Sequence, residues 1–416
     1  MNDTVNHTRP TPSVERLADR LFHDTQSPAE TLNVRRRVRE IADQYVAPVA
    51  HRLANQDERH DGFPHEVFAD LGRSGLFRVP FSKDVGGEGL QFPATATAAA
   101  VEEVAYHSNS IAAVFDVHCI LAGHALDQGS SEQRQRWLAP IVAGDVIGAF
   151  ATSEPGASSD LSPQAVQTIA EPRPGGWVLN GRKRWITNSV AAGVIVVLAR
   201  TGTRLTTFIV PTDVPGVSIG PADRKLGNRA QITADVILDS VRIDDSHVLG
   251  EIGRGLSVAL QTLTYGRIGI GAAGVGMAQA AFDRTAAHLL TRSAFGGSLA
   301  TKQHWQFLMA DRATELETAR TLYLKAALRL DAGETFPEPE AAMAKLHGTC
   351  LAVNMARDAV QAFGGLGFTV ERGADGLPGP VEAIYRDSKI GEIYEGANEV
   401  QKWVIARGIF GRAVVG

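Results

Sequence analysis

The stretch SEPGASSD, residues Ser153–Asp160, lies close to the point where the pattern of the chain changes. Before it, residues 31–145 carry apolar side chains at spacings of three and four, for example Val34, Val38 and Ile41, as amphipathic helices do. After it, to about residue 250, short runs rich in β-branched residues alternate with glycine, proline and aspartate, which is typical of an antiparallel β domain. We therefore predict a change from helical to β structure near residue 146.

Beyond the β region the helical pattern returns in longer segments. Apolar residues at helical spacing predict four long helices, over residues 256–291, 301–332, 338–363 and 381–409. The short connections between them favour an antiparallel bundle. The predicted fold class is α+β with several domains: a flexible N-terminal tail at 1–30, an N-terminal helical domain at 31–145, a middle antiparallel β domain at 146–250 and a C-terminal four-helix bundle at 251–416.

The composition is ordinary for a folded chain. Its 416 residues can form sizeable cores, and a net charge of -5 without a long basic run gives no sign of nucleic-acid binding. Cys119 and Cys350 lack metal-ligand spacing, so we predict buried thiols in a reducing compartment and no metal. We predict no apolar run of membrane-spanning length, and the polar N-terminus lacks a secretory signal, so we expect a cytoplasmic location and chance sequons at Asn2 and Asn6.

A second informative stretch is IYEG, residues Ile393–Gly396, which follows YRD at Tyr385–Asp387. By itself, Glu395 between other charged residues is typical of a solvated helix face. Its interpretation changes because four further stretches precede it. These are Ser153–Asp160, NGRKRWITN at Asn180–Asn188, RSAFG at Arg292–Gly296 and QAFGGLG at Gln361–Gly367. In this order, over roughly residues 31–412, the set closely resembles the acyl-CoA dehydrogenase family of flavoenzymes.

Gly269, Gly271 and Gly274 offer a competing interpretation, since they have the spacing of a dinucleotide-binding motif. That motif requires a strand before the glycines and a helix after them. Both flanks here are predicted to be helical, so we interpret the glycines as allowing close helix packing.

The resemblance implies FAD as the cofactor. Without it, the Ser153 turn and the strand at Trp185 would be ordinary structure. In the family, the first stretch bonds the edge of the isoalloxazine, the tryptophan packs against the flavin and the threonine two residues later lies near N5. Here Ser153 keeps the hydroxyl of the family's threonine, and Ser158 replaces a glycine. The implied cofactor residues are Phe150, Ser153, Ser159, Trp185, Thr187, Arg292, Phe295, Gln361, Gly364, Gly365, Ala397 and Glu399.

The same resemblance implies an oligomer. A lone arginine such as Arg292, late in a helix, usually complements the helix dipole. In the family this arginine binds the FAD pyrophosphate of a neighbouring subunit, and guanidinium geometry suits a diphosphate. We therefore expect a homo-oligomer, a homotetramer built as a dimer of dimers.

Glu395 takes the catalytic role by resemblance, abstracting the α-proton of an acyl thioester while the β-hydride passes to FAD N5. A carboxylate is a weak base, so burial must raise its pKa, and hydrogen bonds, including one from its own backbone N–H, must stabilise the enolate. The implied substrate residues are Ser159, Thr264, Arg267, Tyr394 and Gly396, although a structural role for Arg267 is equally compatible. The product is a trans-2-enoyl thioester, and the electrons pass to an electron-transfer flavoprotein or a similar acceptor.

Three departures from the family pattern leave open whether CoA or a carrier protein bears the acyl group. Ala397 loses a hydroxyl, Thr264 stands where many relatives carry an aspartate near the thioester arm, and the loop at Arg372–Pro380 is longer. A carrier-protein-tethered acyl group, as in the secondary-metabolism members, is therefore an alternative to acyl-CoA. The sequence also leaves open a flavin-dependent oxidase or monooxygenase of the same fold, against which Glu395 argues, and a non-enzymatic helical scaffold.

Overall fold

The computed structural model describes residues 14–415 and confirms the predicted α+β fold class. Its N-terminal part contains the helices α1 (Ala18–Leu21), α2 (Ala29–Ile41), α3 (Ala50–Asn55), α4 (His65–Arg73), α5 (Pro93–Ala105), α6 (Asn109–Phe115), α7 (His124–Asp127), α8 (Ser131–Gln133) and α9 (Ala139–Ala143). Pro93 occupies the first turn of α5, where its missing N–H is tolerated. A π-helical segment, Asp116–Gly123, joins α6 to α7.

Two residues of the predicted N-terminal tail, Arg16 and Leu17, are held by long-range contacts. Leu17 is buried, and its backbone N–H donates to Asp283 Oδ1 at 3.2 Å. Arg16 pairs with Glu103 at 2.5 Å. The prediction of a flexible tail was therefore wrong for these residues, because long-range partners hold them. Residues 1–13, with both sequons, lie outside the described residues.

One stretch, Asn109–Asp127, is long and apolar enough to cross a membrane by length and composition. The prediction that no run reaches that length was therefore wrong. Within the fold, 94% of its apolar window is buried, so its side chains belong to the core. Cys119 is buried here as predicted, whereas Cys350 in the C-terminal part is half-buried.

The middle region is a sheet formed by β1 (Gly148–Ala151), β2 (Ile169–Arg173), β3 (Gly176–Thr187), β4 (Val194–Thr201), β5 (Arg204–Pro211), β6 (Val217–Ala222), β7 (Thr233–Asp244) and β8 (Val248–Leu249). The strand order is β6-β7-β3-β2-β4-β5-β8, with β1 beside β4. Most pairs are antiparallel, whereas β1 and the first residue of β2, Ile169, pair in parallel with β4. The β3–β7 register shifts between Lys183 and Ile186, and this bulge gives Trp185 a φ of 57°.

The C-terminal part contains α10 (Gly255–Thr291), β9 (Ser293–Ala294), β10 (Gly297–Ser298), α11 (Gln303–Asp331), α12 (Glu340–Phe363), α13 (Glu382–Ser388), α14 (Asn398–Phe410) and α15 (Arg412–Val415). Three of the predicted long helices are present. The fourth, predicted as continuous over 381–409, is interrupted: α13 ends at Ser388, a short 3-10 turn follows at Lys389–Glu392, and α14 begins at Asn398. Glu395 and Gly396 lie in the break.

The glycines of α10 pack against a neighbouring helix, as predicted. A Cβ on Gly271 would lie 2.8 Å from the carbonyl oxygen of Ala344, and one on Gly274 would lie 2.4 Å from that of Gly348. Both partners belong to α12. Gly269 also lies inside α10 with no strand before it, so the dinucleotide-binding interpretation fails on geometry.

Candidate active site

One cavity, with a volume of about 1110 Å³, opens between the sheet, α10 and the break before α14. Eleven of the predicted site residues line it. They are Phe150, Ser153, Ser159, Trp185, Thr187, Thr264, Arg267, Tyr394, Glu395, Gly396 and Ala397. Residues from three separate parts of the chain therefore meet at one place.

Glu395 is held on a strained turn. Its φ is 51° and that of Gly396 is 91°, so two successive residues adopt the left-handed region that side chains disfavour. Gln401 stabilises the turn by donating to the Gly396 carbonyl oxygen at 2.8 Å. A Cβ at Gly266 of α10 would lie 2.0 Å from Glu395 Oε2, so the carboxyl group lies against bare helix backbone. Burial of this group raises the pKa of Glu395 to about 7.

Two cations oppose that rise in the pKa of Glu395, namely Lys345 and Arg267. Both are already bonded elsewhere. The buried Lys345 ammonium donates to Asn398 Oδ1 at 2.9 Å, and Arg267 pairs with Glu338 at 2.5 Å. Lys345, Asn398 and Glu338 could not be assigned to the site from sequence patterns, because each acts through a partner distant in sequence.

A chain of hydrogen bonds links the turn at Glu395 to the sheet. Thr187 accepts from Gln231 at 2.8 Å, and Gln231 accepts from Asn228 at 2.8 Å. Asn228 in turn accepts from Asn109 at 3.1 Å, and Asn109 lies 3.5 Å from the hydroxyl of Tyr394. Thr187 and the residue beside Glu395 are therefore positioned by one network.

The YRD stretch, Tyr385–Asp387, contacts the same hydrogen-bond network through Asn228. Asp387 accepts from the backbone N–H of Asn228 at 2.7 Å, and Arg386 donates to the carbonyl oxygen of Ala54 at 3.1 Å. YRD therefore has a structural role here, which its place before Glu395 alone did not reveal.

The turn at Ser153 is anchored by a buried ion pair. Lys183 Nζ lies 2.8 Å from Glu154 Oε1, and both side chains are almost fully buried. Glu154 also accepts from the backbone of Gln167 and Thr168, at 2.6 and 3.0 Å. Since the pair holds the turn against β3, Ser153 remains free to line the cavity.

The remaining predicted cofactor residues lie outside the cavity lining. Arg292, Phe295, Gln361, Gly364, Gly365 and Glu399 are all exposed. Phe295 is 94% exposed on the β9–β10 hairpin, with a φ of 49°.

The cavity lining fits FAD. Trp185 is 52% exposed and presents an aromatic surface. Ser153, Ser159 and Thr187 supply hydroxyl groups around it. Flat apolar area combined with several hydrogen-bonding hydroxyls suits a ring with polar edges.

Comparison with known proteins agrees with this geometry. The N-terminal, middle and C-terminal domain models of acyl-CoA dehydrogenase match residues 28–145, 149–241 and 253–410. The short-chain specific acyl-CoA dehydrogenase of Rattus norvegicus, a mitochondrial protein, is 38% identical over 93% of this chain and 91% of its own length.

Two solved structures have the same fold. Butyryl-CoA dehydrogenase from Megasphaera elsdenii gives a TM-score of 0.85 at 30% identity, over 93% of this chain and 100% of that one. A glutaryl-CoA dehydrogenase from Mycobacterium smegmatis in complex with FADH2 gives 0.84 at 27% identity, over 94% and 97%. The chain therefore belongs to the acyl-CoA dehydrogenase family and is an FAD-dependent oxidoreductase that carries out α,β-dehydrogenation of acyl-CoA.

Proposed function

We propose that this enzyme acts on short-chain acyl-CoA thioesters and that Glu395 is the base that removes the α-proton. The observation that carries the assignment is the Glu395 carboxyl group, which lies in the cavity on a strained turn with Oε2 buried and its pKa raised to about 7. A base is most effective when its pKa lies near the working pH. The short-chain preference is supported by the names of the rat and M. elsdenii relatives.

Different residues that line the cavity have different roles in the proposed reaction. Glu395 takes the α-proton, and we assign polarisation of the thioester oxygen to its backbone N–H. Tyr394 and Arg267 flank it in the cavity lining, where they shape the space beside the reacting carbons. When bound, FAD accepts the β-hydride. The apolar side chains of Leu121 and Leu263 help to exclude water from the same space.

CoA is favoured over a carrier protein as the group that bears the acyl chain. Among the described residues that line the cavity, none comes from the long Arg372–Pro380 loop, so this departure lies away from the substrate path. Arg407 and Arg412 do line the cavity, and their positive charge suits the phosphates of CoA. Thr264 donates its hydroxyl to the Leu260 carbonyl oxygen at 2.8 Å, which leaves it only as an acceptor toward the thioester arm.

An anaerobic titration of the FAD-loaded protein tests the proposal. The panel contains butyryl-CoA, a branched and a long-chain acyl-CoA, and each acyl group again on a carrier protein. We expect bleaching near about 450 nm, the usual band of oxidised flavin, with butyryl-CoA at the lowest concentration. Bleaching only by carrier conjugates would refute the CoA handle. No bleaching by any thioester, followed by rapid oxygen consumption with another substrate, would favour an oxidase.

We also propose that FAD and a second subunit cover the exposed cofactor residues. Arg292 and Phe295 lie on one hairpin, close to the helix end where His288 stacks on Phe363 with ring centroids 4.0 Å apart. Light scattering of the purified enzyme should give a tetramer, and Phe295→Ser should weaken it. A monomer that retains FAD would refute this arrangement. Reoxidation by an electron-transfer flavoprotein faster than by oxygen would identify the acceptor.

A further inference from the structure

A second carboxyl group, Asp116, is buried beside Glu395. It lies in the π-helical segment between α6 and α7 and is 0% exposed. Neither of its oxygens receives a hydrogen bond from an N–H or a neutral O–H group of the described residues, and the same holds for Glu395 Oε2. The group that Asp116 faces is the Glu395 carboxyl, within hydrogen-bonding reach. Two carboxyl groups can form such a bond only when one of them is protonated.

Two glycines of α10 make room for this pair. A Cβ on Gly266 would lie 2.0 Å from Glu395 Oε2, and a Cβ on Gly269 would lie 2.3 Å from Asp116 Oδ1. Residues three apart lie on the same helix face, so the glycines form one groove for both carboxyl groups. A side chain at either position would push a carboxyl group away.

The surrounding charges decide which group holds the proton. Burial and the neighbouring Glu395 both raise the pKa of Asp116 well above its usual range. Lys345 and Arg267 act on Glu395 and oppose the effect of burial there. The other titratable groups that influence or are influenced by the pair are neutral at pH 7: Cys119, Tyr265 and Tyr394, whose pKa values are all raised by burial. The proton therefore resides on Asp116.

We propose that Asp116 is a positioning residue that stays protonated and donates a hydrogen bond to the Glu395 carboxylate, fixing the orientation and the charge state of that base. The proposal rests on the assignment of Glu395 as the base. At rest the pair carries one proton. When Glu395 takes the α-proton, the C–H bond breaks, an O–H bond forms on Glu395, and the electron pair stays on the substrate. The pair then carries two protons and no net charge.

The test compares Asp116→Asn with Asp116→Leu. Asparagine keeps the shape and a donating N–H, whereas leucine keeps the volume without a donor. Flavin reduction by saturating butyryl-CoA is followed by stopped flow as a function of pH. With leucine, the acid limb of the rate profile should move up by about one pH unit, because a charge-assisted hydrogen bond to Glu395 is lost. With asparagine it should stay close to the wild-type position.

Three results would overturn the proposal. If both variants move the limb downward, Asp116 was ionised; if both leave it in place, its role is only structural. An equal upward shift in both variants would show that the donor itself is unimportant. FAD content and thermal unfolding midpoints show whether each variant folds.

Infrared spectroscopy provides a readout that is independent of activity. Above the acid limb, the wild-type protein and Glu395→Gln should both show a protonated-carboxyl band that Asp116→Asn lacks. Absence of this band from the wild type would refute the proposal even if the leucine variant does not fold. If no acyl thioester bleaches the flavin, the proposed function fails, whereas the band still tests the carboxyl pair.

Discussion

Two buried clusters of ionisable groups lie in the helical parts of this enzyme, and they are built in opposite ways. In the first, Glu102 of α5 accepts from Arg320 at 2.9 Å and from Arg35 at 3.0 Å, and also from the hydroxyl of Tyr323. Burial alone would raise the pKa of Glu102, but the two guanidinium groups hold it well below its usual range. Every charge there has a direct partner, so the cluster joins α2, α5 and α11.

The second cluster, around the turn at Glu395, contains more acidic than basic groups. Glu395 and Asp116 face each other, while Arg267 and Lys345 are bonded to Glu338 and Asn398 instead. A buried charge without its own partner costs stability, so such an arrangement usually marks a functional site. The comparison shows that complete pairing stabilises structure, whereas incomplete pairing leaves a carboxylate reactive.

The largest expected effect follows from removing the reactive carboxylate. In Glu395→Gln, the amide has nearly the same shape but cannot accept the α-proton. Positioned general bases contribute roughly 10²- to 10⁴-fold, and we expect a loss at the upper end of this range. Stopped-flow reduction by butyryl-CoA measures it, and FAD content should be unchanged. Reduction at more than a tenth of the wild-type rate would contradict the assignment of the base.

The second prediction concerns the fully paired cluster. Glu102→Gln removes the buried carboxylate that pairs with Arg320, while Arg35 keeps its pair with Glu103 at 3.1 Å, and this should cost about 3 kcal/mol or more in unfolding free energy. Urea unfolding measures the loss. As a control, Glu171→Gln removes an exposed pair with Arg173 and should cost less than about 1 kcal/mol. Similar losses in both variants would mean that the buried cluster stabilises no more than a surface pair.

The pH dependence of the Glu102 contribution has a definite sign. Because its pKa is lower in the folded than in the unfolded state, its stabilising contribution is complete above the unfolded value of about 4.3 and falls as the pH is lowered. The difference between wild type and Glu102→Gln should therefore shrink below about pH 4.

The third prediction concerns Glu395→Gln in the second cluster, where the pH dependence of stability has the opposite sign. The pKa of Glu395 is raised to about 7, so the folded state binds more protons than the unfolded state between about pH 4.3 and pH 7, and stability falls as the pH rises through this window. Glu395→Gln should therefore be more stable than wild type at pH 8, by at most about 4 kcal/mol, with less difference at pH 5. Urea unfolding at both pH values measures it; equal stability at pH 8 would contradict the strained, underpaired site.

Much of the fold was predictable from local pattern. The three-part order and three of the long helices followed from the spacing of apolar residues. The break before α14 could not be predicted. A helical pattern continues through Glu392 and Glu399, and the contacts that hold the break open come from α10 and α12. Lys345 of α12 bonds Asn398, and Gly266 of α10 admits the carboxyl group of Glu395.

The candidate site divides in the same way. Glu395 and Trp185 could be assigned because their stretches match a family pattern. Asp116 could not be assigned in this way. An aspartate inside the apolar run AAVFDVHCILAG is nevertheless a signal in itself, since a buried acid needs a partner. The sequence did not reveal that this partner is Glu395, because the two meet only through tertiary packing.

The smallest expected effect comes from Lys345, which acts on Glu395 without a direct bond. Burial lowers the pKa of Lys345 to about 8, so it is mostly charged where Glu395 titrates, near about 7. Lys345→Met should raise the pKa of Glu395 and move the acid limb of flavin reduction upward by less than about one pH unit. Thr349→Val is the matched control, because it removes a hydrogen-bonding partner of Asn398 without changing charge. A shift in Lys345→Met alone would show that a distant cation lowers the pKa of the base. The same shift in both variants would show that the hydrogen bonds to Asn398 matter instead. No shift in either variant would leave Arg267 as the compensating charge.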